Sequence, residues 1–414
     1  GKDTTRRDSH AGFFANAPKA LYRHLVRRNQ DTQKHHPTFW ASNPDFFVDD
    51  KANPYSTPPD MPFRWIRGRQ VGGRTLTWDA VTPRLSDFEF KAASQDGVGI
   101  DWPLCHADLD RHYADLERMN GVYGAEDALP QIPDGIYAGK SDMTPGEVLF
   151  KERVEKHFPG RHVIISRGLN AERTPRKDEE HSKITSISNA LARAKATGRV
   201  TLRTNAVVAR VLTDPSGTTA TGVEVVDAKT KQRSELRASR VFLCAGSLES
   251  VRILLNSRSP AHPRGLGGSS GNALGHYVMD HSAGNVYFTM PEVAENGASY
   301  AFSGASSIMV PRFQNLGAQT EPFLRGYGVW GGIQRMPVPG FLRKKRKVAF
   351  GFLCGRSEVL PDYDNFVEID DTLVDAWGIP SLRIHCAWKP RDIELAEAAR
   401  KETETMVREA GGEV

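Results

Sequence analysis

The sequence predicts a mixed α/β (α+β) fold, and three features of the 414-residue chain support it. A run of five apolar residues, Val241–Ala245, is followed by Gly246 and a helical stripe of leucine and valine. This pattern predicts a buried strand, a tight turn and a helix. Short strand-like segments between residues 200 and 245 predict a β-meander leading into that strand. From Ser282 onward apolar and polar residues alternate, which predicts a second, antiparallel sheet.

The individual elements follow from apolar periodicity and from the turn residues between them. Helices are predicted at Ala17–Arg28, Ala107–Asn120, residues 146–158, Ile184–Thr197 and Pro390–Ala410. The meander is predicted at Val200–Leu212, Gly222–Asp227, Arg233–Arg237 and Arg240–Ala245, with turns at Pro215–Gly217 and Lys229–Lys231. The later strands are predicted at Val286–Met290, Ser307–Val310, Gly326–Arg335, Lys347–Leu353 and Leu382–Trp388.

The corner at Ala245–Gly246 is the first candidate site. Gly246 lets the backbone turn sharply, and Ser247 is a suitable N-cap for the helix that follows. Free N–H groups point outward at such a corner, and nucleotide cofactors bind there. The same pattern also fits an ordinary strand-to-helix corner of any α/β domain.

The segment from Ile66 to Trp78 is the second candidate, because arginines flank the paired glycines Gly72 and Gly73. Guanidinium groups beside a closely approaching backbone suit a pyrophosphate. A plain turn between two strands remains the alternative. A third segment, Asn272–His281, contains a turn of small residues followed by an acid–imidazole pair.

In this order and spacing, the three segments resemble the glucose–methanol–choline (GMC) family of FAD-dependent oxidoreductases. Arg69–Thr75 is similar to the family's flavin loop, Cys244–Ser250 to its second signature, and Leu274–His281 to its third. Two further stretches are similar to a bacterial sugar-oxidising branch that includes pyranose oxidase-like enzymes: Asp101–Leu104 with Leu109, Tyr113 and Glu117, and Asp375–Pro380. The resemblance extends from Phe47 to the end of the chain.

The resemblance implies an incomplete Rossmann-like FAD-binding domain with a β-meander, formed by residues 1–90 and 161–282. It implies a substrate domain with an antiparallel sheet, formed by residues 91–160 and 283–414. The cofactor-binding residues that it implies are Arg69, Gly72, Gly73, Thr75, Thr77, Trp78, Val208, Ala245, Gly246, Ser247, Asp280 and His281. Val208 fits an ordinary core position as well. Thr77 occupies the position at which pyranose oxidase-like relatives carry a flavin-linked histidine, so the FAD is expected to be non-covalent.

Two parts of the family pattern are missing. The initial strand with GxGxxG is not found; the literal match Gly326–Gly331 is rejected because no apolar strand precedes it and prolines follow it. The family's catalytic histidine is expected beyond Val414, so no catalytic residue is assigned, and His276 and His281 are given cofactor or structural roles. A charged loop, Arg173–His181, replaces a Cys/Gly-rich insertion of related proteins.

The predicted function is hydride transfer from the CH–OH group of a sugar or polyol to FAD, by a fragment that is inactive alone. The alternative is a non-catalytic, degenerate relative that acts as a binding or interaction module. A third hypothesis is an anionic surface or nucleic-acid contact through Arg343–Lys347, although that run also fits a solvated hairpin.

Composition agrees with a globular enzyme of two domains, since the chain is 39% hydrophobic and 25% charged. A net charge of +5 is too small to predict a nucleic-acid partner. The four cysteines are predicted to be free and buried, and no zinc site or membrane span is predicted. The electron acceptor, the compartment and the oligomeric state are not predicted.

Overall fold

The structure is a computed structural model that describes residues 29–35, 39–40, 43–169, 184–268, 272–295, 302, 304–336, 338 and 347–414. The predicted helix Ala17–Arg28 and the loop Arg173–His181 lie outside the described residues, as does the basic run except for Lys347. The α-helices are α1 (Asp87–Phe90), α2 (Ala92–Asp96), α3 (His106–Asn120), α4 (Pro145–His157), α5 (Ala190–Ala196), α6 (Ser247–Asn256) and α7 (Pro390–Glu409). The strands are β1 (Val122–Tyr123), β2 (Ile164–Ile165), β3 (Gly168–Leu169), β4 (Ala206–Thr213), β5 (Ala220–Asp227), β6 (Arg233–Arg237), β7 (His281–Ala294), β8 (Ile308–Val310), β9 (Tyr327–Ile333), β10 (Val348–Glu358), β11 (Phe366–Val374) and β12 (Pro380–His385).

The chain divides into two compact units. The first unit comprises the described residues within Gly1–Trp78, Thr185–Val278 and Asp362–Ala387. The second comprises those within Asp79–Ile184, Met279–Pro361 and Trp388–Val414. The assignment of one domain to FAD and one to substrate stays a prediction at this point.

The first unit contains the antiparallel meander β4–β5–β6 and the hairpin β11–β12. The Asp227 carboxylate closes the β5–β6 turn by accepting the N–H groups of Lys229 and Thr230 at 2.9 and 2.8 Å. Helix α6 has its leucine and valine stripe packed against the β11–β12 hairpin, as its periodicity predicts. This packing fixes the helix that begins at the Gly246 corner.

The second unit is built on a five-stranded antiparallel sheet with the strand order β2–β8–β9–β10–β7. Helices α4 and α7 cover one face of this sheet and enclose the largest apolar core. Glycines let α7 approach closely: a Cβ on Gly284 would lie 2.7 Å from the Cβ of Arg400, and one on Gly355 would lie 3.0 Å from that of Ala399. The side chains that alternate with these residues lie on the opposite face of the sheet.

Helix boundaries in the second unit follow local chemistry. Helix α4 has a capping box, in which the Thr144 hydroxyl accepts the Glu147 N–H and the Glu147 carboxylate accepts the Thr144 N–H. Helix α3 ends at Gly121, whose φ of 59° is a left-handed conformation. The predicted positions of α3, α4 and α7 are confirmed to within one residue.

The sequence-based fold class is confirmed, and so is the rejection of the literal GxGxxG. Gly326–Gly331 runs into β9 of the antiparallel sheet, where no strand-to-helix corner exists. The predicted strands downstream of Ser282 are present; β7 and β10 are longer than predicted, β8, β9 and β12 are shorter, and β11 was not predicted.

Five local predictions are wrong. Residues 241–245 form no strand and pair with no strand among the described residues, so Phe242 is 84% exposed and Cys244 is exposed rather than buried. The apolar pattern was correct, but a strand also requires a hydrogen-bonding neighbour. The N-cap of α6 is Gly246, and Ser247 is its first helical residue.

The other two errors concern the residue at which an element begins. Helix α5 begins at Ala190 instead of Ile184, because Thr185 and Ser188 bind one another's side chains and backbone in a local turn. Strand β4 begins only at Ala206, after Asn205 takes a positive φ of 54°.

Candidate functional site

The paired glycines lie in a loop that hydroxyl groups hold in place. Gly72 has a φ of 93° and precedes a 3-10 turn, Gly73–Leu76. Its carbonyl oxygen accepts hydrogen bonds from the hydroxyls of Thr75 (2.6 Å) and Ser186 (3.0 Å). A Cβ on Gly72 would lie 2.8 Å from Ile187, whereas one on Gly73 would meet nothing within 4 Å. The loop is therefore preorganised and presents Gly73 to open space.

The arginines near this loop differ in what they contact. Arg67 is buried, lies 3.6 Å from the centre of the Trp65 ring and donates to Glu249 at 2.7 Å. Burial lowers the pKa of Arg67 to about 10. Arg69, predicted to face a pyrophosphate, donates to the Asn53 side chain at 2.5 Å and lies over the Trp377 ring at 4.7 Å.

Arg74 is the exposed arginine of the loop; it lies within the predicted flavin loop Arg69–Thr75 but was not named among the cofactor-binding residues. No carboxylate of the described residues lies within salt-bridge distance of it. Its position directly after the paired glycines was the signal that could have singled it out. Thr77 is buried at the end of the 3-10 turn, where its N–H donates to the Arg74 carbonyl at 2.9 Å, and Trp78 is half-buried.

The corner at Gly246 leaves backbone donors uncovered. Gly246 has φ 88° and ψ 162°, a region that residues with a Cβ rarely adopt. No side chain caps α6, and a Cβ on Gly246 would meet nothing within 4 Å. The first N–H groups of α6, beginning at Ser247, consequently form a potential anion site beside open space.

Glu249 lies in the first turn of α6 and would repel an anion if its charge were not balanced. Arg67 binds its carboxylate at 2.7 Å, and Arg252 approaches it at 3.5 Å. Arg252 also donates to the fully buried carboxylate of Asp375 at 2.8 Å and to the carbonyls of Ile379 and Pro380. We call Arg67, Glu249, Arg252 and Asp375 the buried charge network. The network neutralises the corner and, through Arg67, joins it to the segment that precedes the glycine loop.

A cavity of about 410 Å³ lies against the segment that precedes this corner. Two predicted cofactor residues, Val208 and Ala245, line it together. The other lining residues are Gly222, Val223, Leu236, Ala238, Arg240, Val241, Phe242, Leu243, Cys244 and Ile253. The cavity is therefore mostly apolar and adjoins the uncapped end of α6.

Asp280 and His281 lie in the second unit, at the start of β7. The His281 backbone N–H donates to Asp280 at 2.7 Å, and the His281 Nδ1 lies 3.1 Å from the same carboxylate oxygen. These contacts hold the pKa of Asp280 below its usual range. Arg356 on β10 donates to His281 Nε2 at 2.5 Å, so His281 is held as the tautomer with its proton on Nδ1.

His276 lies in the first unit and has a structural environment. Its ring stacks on Tyr363 with centres 3.8 Å apart and on Phe366 at 5.1 Å. Its Nδ1 donates to the Tyr363 carbonyl at 2.8 Å. These contacts anchor the residues before β7 to β11.

The structure thus gathers most predicted cofactor residues in the first unit, namely Arg69, Gly72, Gly73, Thr75, Thr77, Trp78, Val208, Ala245, Gly246 and Ser247. Asp280 and His281 belong to the second unit. The four cysteines are free. In the part of the chain that the structure describes, no three His, Cys, Asp or Glu side chains are grouped to hold a metal ion. Likewise, none of the described helices has the length and apolar character needed to cross a membrane.

Comparison with known proteins places the chain among related sequences. A family model described as GMC oxidoreductase matches residues 154–283. A 2-methyl-1,2-propanediol dehydrogenase of Mycolicibacterium austroafricanum is 26% identical over 364 residues, which cover 79% of this chain and 64% of that protein. The fructose dehydrogenase large subunit of Gluconobacter japonicus is 24% identical over 372 residues, covering 82% of this chain and 66% of the relative. The chain thus spans about two thirds of the length of these relatives.

Two solved structures show the same fold. Pyridoxine 4-oxidase from Mesorbium loti superposes with a TM-score of 0.50 at 18% identity, covering 84% of this chain and 67% of that one. A formate oxidase from Aspergillus oryzae, studied for the modification of its FAD, gives a TM-score of 0.53 at 13% identity. The match covers 91% of this chain and 78% of that one. The family-model match includes the motif around Gly246, and the fold comparisons agree with it. The predicted cofactor, FAD, is thereby confirmed, and so is the resemblance to the GMC oxidoreductase family, whose model matches residues 154–283.

Proposed function

We propose that this protein uses non-covalently bound FAD to oxidise the CH–OH group of a sugar or polyol. The observation that carries the proposal is the uncapped corner at Gly246. Its negative residue, Glu249, is neutralised by buried arginines, and the same unit contains the preorganised glycine loop. An oxidoreductase acting on sugars or alcohols also agrees with the names of the relatives.

The residues of the first unit fit a dinucleotide. Open space beside Gly73 and Gly246 allows a ligand to approach the backbone at both positions. The free N–H groups of α6 and the exposed Arg74 are donors suited to phosphate oxygens. The cavity lined by Val208 and Ala245 supplies the apolar surface that an aromatic ring requires. We accordingly assign FAD binding to the first unit.

The second unit supplies a face of its sheet for the substrate. When bound, FAD supplies a two-electron acceptor for the hydride of the CH–OH carbon, which becomes a carbonyl carbon. The chain's own residues bind and orient the alcohol, and Asp280 holds the tautomer of His281. We assign the base that takes the hydroxyl proton to no described residue.

The decisive experiment is an anaerobic titration of the full native protein, reconstituted with FAD, with sugars and polyols. We expect one flavin per chain and bleaching of the flavin absorbance by substrate. Binding of FAD without bleaching by any sugar or polyol tested would support the non-catalytic alternative. Failure to bind FAD would contradict the proposal as a whole.

The mode of attachment gives a separate prediction. Thr77 offers a hydroxyl that is buried within the loop and no ring nitrogen with which to form a flavin bond. We therefore expect acid precipitation of the holoprotein to release all flavin into the supernatant. Flavin that remains with the precipitated protein and migrates with it on a denaturing gel would contradict this prediction.

A further inference from the structure

The sheet face of the second unit that is turned away from α7 presents an aromatic surface. Strand pairing sets Tyr287 of β7 opposite Phe352 of β10, with ring centres 5.1 Å apart. Trp330 of β9 meets Phe352 edge-on, with ring centres 6.4 Å apart. Tyr287 lies on the edge strand β7 and is 56% exposed. We call this surface, with Arg356 and His281, the open face.

A cation lies at one end of the open face. Arg356 is exposed, and its guanidinium carbon lies 5.7 Å from the centre of the Trp330 ring. The register places Arg356 opposite Ala283, two residues from His281 along β7, on the same side of the sheet as Tyr287 and Phe352. Aromatic rings and a positive charge are therefore presented together.

The charge of Arg356 is not balanced by a direct carboxylate contact. Among the described residues its hydrogen-bond partner is His281 Nε2, which is a neutral acceptor. The nearby Glu358 is engaged by Arg325 at 2.7 Å, and Asp280 contacts the other side of the imidazole. A guanidinium has five N–H donors, so Arg356 retains a pair for a bidentate partner.

We propose that the open face binds the substrate and selects sugars that carry a carboxylate, such as uronic acids. The sugar ring lies on Tyr287 and Phe352, and Arg356 binds the carboxylate through two parallel hydrogen bonds. Asp280 and His281 are positioning residues. Asp280 orients the His281 ring, and His281 Nε2 accepts one N–H of Arg356 and so holds the guanidinium in place. This inference rests on the proposed oxidation of a CH–OH group and names the substrate class for it.

The test compares glucose with glucuronate, which differ at one carbon by a CH₂OH group and a carboxylate. Binding to the FAD-loaded full native protein is measured by calorimetry, and oxidation is followed by flavin bleaching. We expect glucuronate to bind more tightly than glucose. Arg356→Gln should weaken glucuronate binding about 10- to 100-fold, a much larger loss than the same variant shows for glucose. The glucuronate affinity of Arg356→Lys should lie between those of the wild type and Arg356→Gln, since lysine keeps the charge but loses the bidentate geometry.

Arg111→Gln is the matched control, because Arg111 is an 89% exposed arginine on α3. It should alter the binding of neither sugar. Equal binding of both sugars by the wild type, no binding of glucuronate, or an equal loss for both sugars in Arg356→Gln would overturn the inference. Glucuronate binding that depends on Arg356 without any flavin bleaching would uphold the inference on binding and contradict the proposed oxidation.

Discussion

Replacing Arg252 by methionine should destabilise the first unit by about 3–5 kcal/mol. The guanidinium is buried and binds Asp375, whose carboxylate is completely buried, together with the carbonyls of Ile379 and Pro380. Methionine fills a similar volume but leaves the buried charge of Asp375 without its cation, whereas the carbonyls of Ile379 and Pro380 keep the donors of Asp375 N–H and the Asn256 side chain. Urea unfolding gives the magnitude, and hydrogen exchange in β11 and β12 shows that the loss lies in the first unit.

Two variants separate the charge effect from a packing effect. Combining Arg252→Met with Asp375→Asn removes the unpaired charge and keeps an acceptor for the N–H groups of Trp377 and Ile379, so much of the lost stability should return. Arg237→Met breaks an exposed pair with Glu235 and should cost about 0–1 kcal/mol. A loss in Arg252→Met no larger than in Arg237→Met would show that the buried charge network is not structural.

Replacing Gly246 by valine should reduce FAD affinity beyond what the loss of stability alone explains. The backbone conformation at Gly246 costs a residue with a Cβ about 1–3 kcal/mol. The new side chain would otherwise meet nothing in the protein, so it fills the space where we place the cofactor. We expect the Kd for FAD to rise by more than about 100-fold, because both the approach to the backbone and the N–H groups of α6 are blocked.

Gly198→Val is the control for strain alone. Gly198 follows α5, has a φ of 67° and also has no neighbour within 4 Å of an added Cβ. This variant should lose a similar amount of stability and retain normal FAD binding by equilibrium dialysis. If the two variants bind FAD equally well, the assignment of the Gly246 corner to the cofactor is wrong.

Many helices and turns were predictable because residues close together in the sequence are sufficient to specify them. Helix α4 is specified by Thr144, Pro145 and Glu147 within four residues of sequence. The turns of the meander are specified by side chains such as Asp227 that bind the adjacent backbone. These elements depend on neighbours in sequence, and the sequence therefore predicts them well.

Elements that depend on distant partners were not predictable in the same way. The apolar run before Gly246 shows that the segment is suited to a sheet, but no pattern reveals whether a neighbouring strand pairs with it. Arg69 resembled a phosphate ligand in sequence, whereas in the fold it contacts Asn53 and Trp377, which are separated from one another by more than half of the chain. The buried charge network was missed for the same reason.

The unpaired segment Val241–Cys244 has a consequence for the behaviour of this chain in concentrated solution. Its side chains are mostly apolar and its backbone pairs with no strand of the described residues, so the segment is suited to cross-β pairing between molecules. The exposed Cys244 thiol lies within that segment, so in-register pairing of two copies brings their sulfur atoms together, and dissolved oxygen then oxidises the two thiols to a disulfide. Light scattering that rises with protein concentration, together with dimers on gels run without reductant, would be the visible sign.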